Sequence, residues 1–295
     1  MPSKASEAKK ITKRKNGVIR AKSDFFRTAR YGLTLQEHRI IYYAILKGQQ
    51  DKTPFEPVTI SIREFKEVCE LKSEKYYTEI RNLSKRLTGR VVEVAYKDND
   101  GMHLLQAPWL IGITYHTKEG TVTIEPNKKL QPFFEGKPFS ETEFYFLIRF
   151  TSQYSERLYE IIKSLDHKKL VDFDIADLRQ RLAVPPTQYS NYNMLRTRVL
   201  SPAIKDINEF TDLDISLHEK RGQYNKVEKV YFTVKKKKVP KLAQRVAQGE
   251  MKHPLSEEEQ GRLINALLGR EGQEPAEELP QLPGQLSFDG KESEE

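Results

Sequence analysis

A tyrosine that cleaves a phosphodiester needs a metal held by two histidines one residue apart, and this chain offers 14 tyrosines but no such pair. Its six histidines stand at 38, 103, 116, 167, 218 and 253, which disfavours a rolling-circle nicking enzyme. There is no Gly-x-x-x-x-Gly-Lys-Ser/Thr loop to cradle a nucleotide phosphate. The single Cys69 excludes an intramolecular disulfide or a cysteine-rich metal site, and its apolar position predicts a small buried hydrophobe. No cofactor, metal or catalytic residue is therefore expected. What remains is charge and hydrogen bonding. Lys75, Thr78, Arg81, Asn82 and Lys85 recur at helical spacing, opposite an apolar face of Tyr77, Ile80, Leu83 and Leu87.

The charge of the whole chain points the same way. Net charge is +8, but residues 255 to 295 hold 11 acidic against 3 basic side chains, a net of −8, so residues 1 to 254 carry +16. A body this basic is either an ordinary solvated surface or the footprint of a polyanion partner. No apolar run approaches the ~20 residues of a membrane span, and the basic start lacks the apolar region of a secretory signal. A soluble, cytoplasmic protein with no membrane partner is expected.

The elements that position these residues occur twice. Val58-Thr-Ile-Ser-Ile-Arg-Glu-Phe-Lys-Glu-Val-Cys-Glu-Leu71 lies over Val171-Asp-Phe-Asp-Ile-Ala-Asp-Leu-Arg-Gln-Arg-Leu-Ala-Val184 at an offset of 113. Val58, Ile60, Ile62, Phe65, Cys69 and Leu71 are matched by Val171, Phe173, Ile175, Leu178, Leu182 and Val184, and Tyr76 by Tyr189. Similar helical segments precede the copies, from Arg39 to Leu46 and from Arg157 to Leu165. In the first copy, Thr34 and Glu37 predict a capping box ahead of Ile40, Ile41, Ala44 and Ile45. A strand at Val58 to Ile60 leads to a second box, Ser61 with Glu64, and a helix through Cys69. After the turn Leu71-Lys-Ser73, a helix from Glu74 to Leu87 ends at Gly89. Helix, tight turn and basic helix form a helix-turn-helix. Val92, Val94 and Tyr96 alternate into the hairpin signal Asp98-Asn-Asp-Gly101, read as the wing, and return through Leu105, Trp109 and Ile111. A further turn at Lys118-Glu-Gly120 precedes a strand near Val122 to Ile124.

The second copy has a longer reading helix, Tyr189 to about Phe210, with Leu195, Val199, Ala203, Ile204 and Ile207 apolar. Pro202 predicts a bend at Ser201-Pro202. Leu213, Ile215 and Leu217 alternate into a turn at Lys220-Arg-Gly222, and Val230, Phe232 and Val234 return as a second wing. The fold expected is α+β: two tandem winged helices, at 31–134 and 135–238. They follow a disordered basic arm at 1–30, where Lys4, Lys9, Lys10, Lys13, Arg14, Lys15, Arg20 and Lys22 face the acid Glu7. A mostly disordered acidic tail at 239–295 carries a short amphipathic helix near 256–268, which either docks on the body or awaits a partner.

Lys13-Arg-Lys-Asn16, Pro108-Trp-Leu-Ile111, Pro132-Phe-Phe134, Tyr154-Ser-Glu-Arg-Leu-Tyr159, and Arg196-Thr-Arg-Val-Leu200 with Ile207-Asn208 stand in a characteristic order. Through them the chain, from about residue 11 to 238, resembles the plasmid replication initiators of the F-plasmid type, which have two winged helices and bind repeated origin sequences called iterons. The resemblance implies that the second reading helix enters a major groove. Base-reading positions then fall on Asn191, Thr197 and Arg198, flanked by Ser190, Asn193 and Arg196. Asn191 and Thr197 stand where F-type initiators have arginines. Arginine pairs bidentately with guanine and asparagine with adenine, each worth ~1 to 3 kcal/mol of discrimination. Lys72, Ser73, Lys75, Thr78, Arg81 and Lys85 look like phosphate contacts of the first unit, with Lys75 and Thr78 nearest bases, and Lys220 and Arg221 like wing contacts to phosphate.

The same resemblance implies double-stranded DNA as partner, host replication proteins that load the helicase, and a homodimer that represses its own promoter while monomers bind iterons. A transcription regulator without a replication role is the alternative. In the tail, Gln285, Leu286 and Phe288 of Gln285-Leu-Ser-Phe288 resemble the peptides that replication proteins place in a sliding clamp. A simple solubilising tail is the other reading of that segment.

Overall fold

The computed structural model describes residues 17–71, 76–116, 118–136 and 139–237. Strand β1 (Val18–Lys22) and helix α1 (Ser23–Thr28) come first. The charges of Arg20 and Lys22 alone suggest a disordered arm that runs to residue 30. The structure corrects this for residues 18 to 30: Ile19 and Ala21 alternate inward with the basic side chains outward, and Arg20 Nε meets Glu141 at 2.9 Å. Phe25 and Phe26 are fully buried, the Phe25 ring centroid lying 6.0 Å from that of Trp109, edge to face, and 4.9 Å from that of Phe134. Burying two phenylalanines stabilises by roughly 1.5–3 kcal/mol each, enough to fix this short segment.

Helix α2 (Leu35–Gln50) starts where expected, at a complete Thr34/Glu37 capping box. Strand β2 (Val58–Ser61) runs into α3 (Ile62–Val68), whose Ser61 cap accepts the Glu64 amide at 3.0 Å. The reciprocal half of that second box does not form, because the Glu64 carboxylate accepts the Tyr43 hydroxyl instead. Helix α4 (Tyr76–Leu87) follows, with Ile80, Leu83 and Leu87 buried.

Strands β3 (Val91–Asp98) and β4 (Gly101–Pro108) form a two-stranded sheet, the hairpin read from the sequence as the wing, with a single bridge from Glu93 to Arg30 beside it. In the fold the wing lies elsewhere. Strands β5 (Leu110–His116) and β6 (Thr121–Pro126) complete an antiparallel sheet in the order β2-β6-β5. A 3-10 turn at Lys128–Phe133, strand β7 (Phe139–Glu143) and helix α5 (Phe144–Leu147) lead into the second copy. The chain between the two units thus holds a strand that pairs with β1 from Val18↔Glu143 to Lys22↔Phe139.

The second copy has α6 (Gln153–Lys163), β8 (Leu170–Asp174), α7 (Ile175–Arg181), α8 (Tyr192–Leu195), α9 (Ser201–Phe210), β9 (Leu213–Arg221) and β10 (Val227–Lys236). Its sheet order, β8-β10-β9, repeats β2-β6-β5. Ile60 pairs with Val122 and Val122 with Tyr115; Phe173 pairs with Val230 and Val230 with Glu219. The β5–β6 turn is therefore the counterpart of the β9–β10 turn, and β3–β4 is an insertion in the first copy only. From sequence the first hairpin after the helix stands out because its Asp-Gly turn signal is the stronger.

The offset of 113 reaches the backbone itself. Glu70 (φ 53°) and Ala183 (φ 52°) both adopt the left-handed conformation that ends α3 and α7. Leu71 N–H reaches Lys66 O at 3.0 Å, and Val184 N–H reaches Arg179 O at 2.9 Å. This is the six-to-one closure of a helix C-terminus, made twice without glycine.

Helical structure runs through Pro202 without a break. Leu195, Arg196, Leu200 and Ser201 keep right-handed helical dihedrals, and Arg196–Leu200 forms a π-helical stretch between α8 and α9. Ser201 N–H reaches back five residues to Arg196 O, so the amide that Pro202 lacks is absorbed by a widened turn. The helix begins at Tyr192 rather than Tyr189, since Asn191 caps it and Tyr189 has φ 52°.

Candidate nucleic-acid interface

On the second unit, Leu195, Val199, Leu200, Ala203 and Ile207 turn the reading helix onto the sheet. Ser190, Asn191, Asn193, Arg196, Thr197 and Arg198 are left exposed, so the residues singled out for this helix are all open to solvent. Two are partly engaged in holding the helix. Asn191 Oδ1 accepts the Met194 amide at 2.9 Å, and Thr197 Oγ1 donates to Asn193 O at 2.9 Å. Among the described residues, the side chains of Asn193 and Arg198 make no hydrogen bond or ion pair, which leaves their donors available to a ligand.

The wing meets this helix through a residue the sequence reading did not single out. Glu219 accepts the Tyr192 hydroxyl at 2.9 Å and pairs with Arg196 Nη1 at 3.2 Å and Arg221 Nη2 at 2.6 Å. Its side chain is 15% exposed. Partial burial favours its neutral form, yet the hydrogen bonds from Tyr192 and Arg221 and the charge of Arg196 prevail and lower its pKa. Tyr192 is correspondingly raised, by burial first and then by its bond to Glu219. A signal for Glu219 did exist: it continues the inward series Leu213, Ile215, Leu217, and an acid at the end of such a series needs partners. Lys220 and Arg221 stand exposed at the end of β9, beside the turn.

In the first unit, Thr78, Arg81 and Lys85 are exposed on the outer side of α4. Tyr115, the register counterpart of Glu219, ties β5 to this helix by donating to Ser84 Oγ at 2.7 Å. Matching open grooves lie between reading helix and sheet edge. One of about 420 Å³ is lined by Arg81, Asn82, Ser84, Lys85 and Tyr115, the other of about 560 Å³ by Arg196, Ser201, Lys205, Asn208 and Glu219. The grooves present cations and amides beside apolar side chains, Ile113 in the first and Ile204, Ile215 and Leu217 in the second, and the second also presents the acid Glu219. Lys13, Arg14, Lys15, Lys72, Ser73 and Lys75 lie outside the described residues, as do the 256–268 segment and Gln285, Leu286 and Phe288.

Contacts between the two units bury an exchange of arginines. Arg39 of α2 donates to Ile148 O at 2.8 Å and Phe150 O at 3.2 Å, in the chain entering α6. Arg157 of α6 donates to Phe26 O at 3.0 Å and Ala29 O at 2.7 Å, in the chain entering α2. Between them His38 places Nδ1 2.7 Å from Glu156 and Nε2 3.1 Å from Glu160. Tyr31 donates to Glu160 at 2.6 Å. Both carboxylates are fully buried, so their partners tie α2 of the first unit to α6 of the second.

Among the described residues no three His, Cys, Asp or Glu side chains are grouped to hold a metal, and no helix is long and apolar enough to cross a membrane. No curated protein matches the chain. A solved WH1 domain of MSBI1.176, a replication protein isolated from a multiple sclerosis patient, is 20% identical over 36% of this chain and 88% of that one. Its TM-score of 0.28 is too low to bear on the fold. The families described as initiator replication protein WH1 and initiator Rep protein WH2 match residues 18–163 and 174–234. The first match runs past the boundary expected at residue 134, through β7, α5 and α6. Together they cover most of the chain in the order of the two sheets just described, and the chain belongs to the family of two-winged-helix plasmid replication initiators.

Proposed function

We propose that the chain starts plasmid replication by binding repeated double-stranded origin DNA sequence-specifically, without catalysing a reaction itself. The observation that carries this is the pair of exposed polar and cationic helix faces, Thr78/Arg81/Lys85 and Asn193/Arg196/Arg198, on units joined by a buried network. Helix faces of this kind read bases from the major groove, while lysines and arginines at their rims hold phosphate. A duplex bound on one side by both helices is engaged in successive major grooves, ~34 Å apart. The distorted origin then recruits host proteins that load the helicase, and the sliding clamp is a candidate partner for the tail motif at Gln285. Dimers repress the chain's own promoter from an inverted repeat while monomers occupy the direct repeats.

Hydroxyl-radical footprinting on fragments flanking its own gene tests the reading. Two protected grooves per monomer on direct repeats are expected. Protection of one groove, or equal protection of any sequence, contradicts it. The basic segment upstream of β1 has its own readout. Removing residues 1–16 should flatten the dependence of log K on log salt by about 0.9 for each phosphate that this segment neutralises, and an unchanged slope excludes it from the interface.

A further inference from the structure

The register equivalence of Tyr115 and Glu219 exposes a difference between the two readers. Both residues sit at the same register position toward the end of the wing strand, paired to Val122 and Val230, and both tie the sheet to the reading helix. The first tie is neutral, a phenol donating to Ser84. The second is an acid set among donors: Tyr192 from the first turn of the helix, Arg196 from its π-helical stretch and Arg221 from the end of β9. An acid on a face that receives phosphates costs affinity for every duplex alike, because like charges repel whatever the base sequence. We propose that Glu219 is a specificity-determining positioning residue, which holds Arg196 and Arg221 in a fixed fork and lowers the affinity of the second reader for DNA of arbitrary sequence. This inference rests on the DNA-binding reading above and names the residue that sets its selectivity.

The geometry restricts both arginines. Arg196 is half exposed yet tethered at 3.2 Å, so it reaches a groove from one direction instead of sweeping for any phosphate. Arg221 is held by the other carboxylate oxygen, so one acid restrains a helix arginine and a wing arginine together. The charge of Glu219 is opposed by both guanidinium groups at close range, which keeps it ionised at neutral pH. Specificity is a difference between two affinities, and a group that penalises the wrong duplex increases it as surely as one that rewards the right duplex.

The test compares the full chain with E219Q and Y192F on two duplexes: one enriched by the wild-type chain from a randomised pool, and a scramble of the same length and composition. Wild type must prefer the enriched duplex, and failure there would remove the DNA-binding reading itself. Given that preference, E219Q removes the negative charge that holds Arg196 and Arg221. Its affinity for the scramble should rise by roughly fivefold or more, with the scramble's salt slope steeper by about 0.9 for each arginine that finds a phosphate. The enriched duplex should gain less, so the selectivity ratio narrows. Y192F keeps the charge and loses one bond of the tie. It should weaken the enriched duplex and leave the scramble's salt slope where it was. Equal changes on both duplexes in E219Q, no change in either, or a Y192F slope that moves as E219Q does would overturn the proposal. Y192F also carries the test should E219Q melt early in circular dichroism.

Discussion

Among the described residues singled out for base reading, Arg198 and Asn193 present donors without an internal partner, whereas Asn191 and Thr197 are spent in part on the helix itself. That ranking could not come from the sequence, since a cap and a base reader look alike until the helix start is fixed. Arg198→Ala is expected to cost ~1 to 3 kcal/mol on the preferred duplex and to relax selection at one base position. Equal losses on preferred and random duplexes in a binding titration would reassign Arg198 to phosphate. A second prediction concerns Ala183. An L-residue in the left-handed conformation is disfavoured by roughly 1–2 kcal/mol, and its counterpart Glu70 has the same dihedral, so the fold imposes this turn twice. Ala183→Gly should raise stability by about 1 kcal/mol, read as a shift of the urea midpoint at unchanged slope. A lower midpoint would mean that packing of the Ala183 methyl near Gly32 outweighs the relief of the backbone.

At the level of elements, the capped helix α2, the alternating strands and the Val58–Leu71 repeat were legible because each is written in local periodicity. Two elements were not. Strand β1 was hidden by Arg20 and Lys22, whose charges disguise an alternation that buries Ile19 and Ala21 against β7, more than a hundred residues away. The wing of the first unit was misplaced because a strong Asp-Gly hairpin stands before it, and only pairing to β2 decides which hairpin closes the three-stranded sheet. The β3–β4 hairpin leaves Met102 and Leu104 exposed at 72% and 64%, while the β5–β6 turn carries Lys118. Lys118→Ala is therefore expected to reduce the salt slope of DNA binding by about 0.9. Lys97→Ala, near the β3–β4 turn, should leave it unchanged. The opposite pattern in filter binding across a salt series would restore the earlier hairpin as the wing.

For the whole molecule, the two readers are joined by buried charge, and buried charge makes their union depend on pH. Desolvation works against a protonated His38, yet the carboxylates of Glu156 and Glu160 together outweigh it and raise its pKa from 6.5 to about 10. Burial likewise pushes Glu160 toward its neutral form, and His38, Arg157 and Tyr31 reverse this and lower it from 4.5 to about 2. At Glu156 burial prevails and the pKa is raised. A raised histidine contributes stability in full below the unfolded value of 6.5, and that contribution is lost as pH climbs through about 10. A lowered carboxylate contributes above 4.5, and loses it as pH falls through about 2. The chain should accordingly lose stability on the alkaline side of 6.5 with a slope approaching one proton, about 1.4 kcal/mol per pH unit at most. His38→Gln preserves hydrogen bonding without the charge. It should destabilise the chain by ~3 kcal/mol or more through the carboxylates left uncompensated, and remove the alkaline limb that depends on His38. Urea unfolding of both proteins from pH 6 to 9 (about the window set by these shifts) provides the comparison. If the difference between them stays constant across that range, His38 is neutral in the fold and the two readers are joined by the arginine exchange instead.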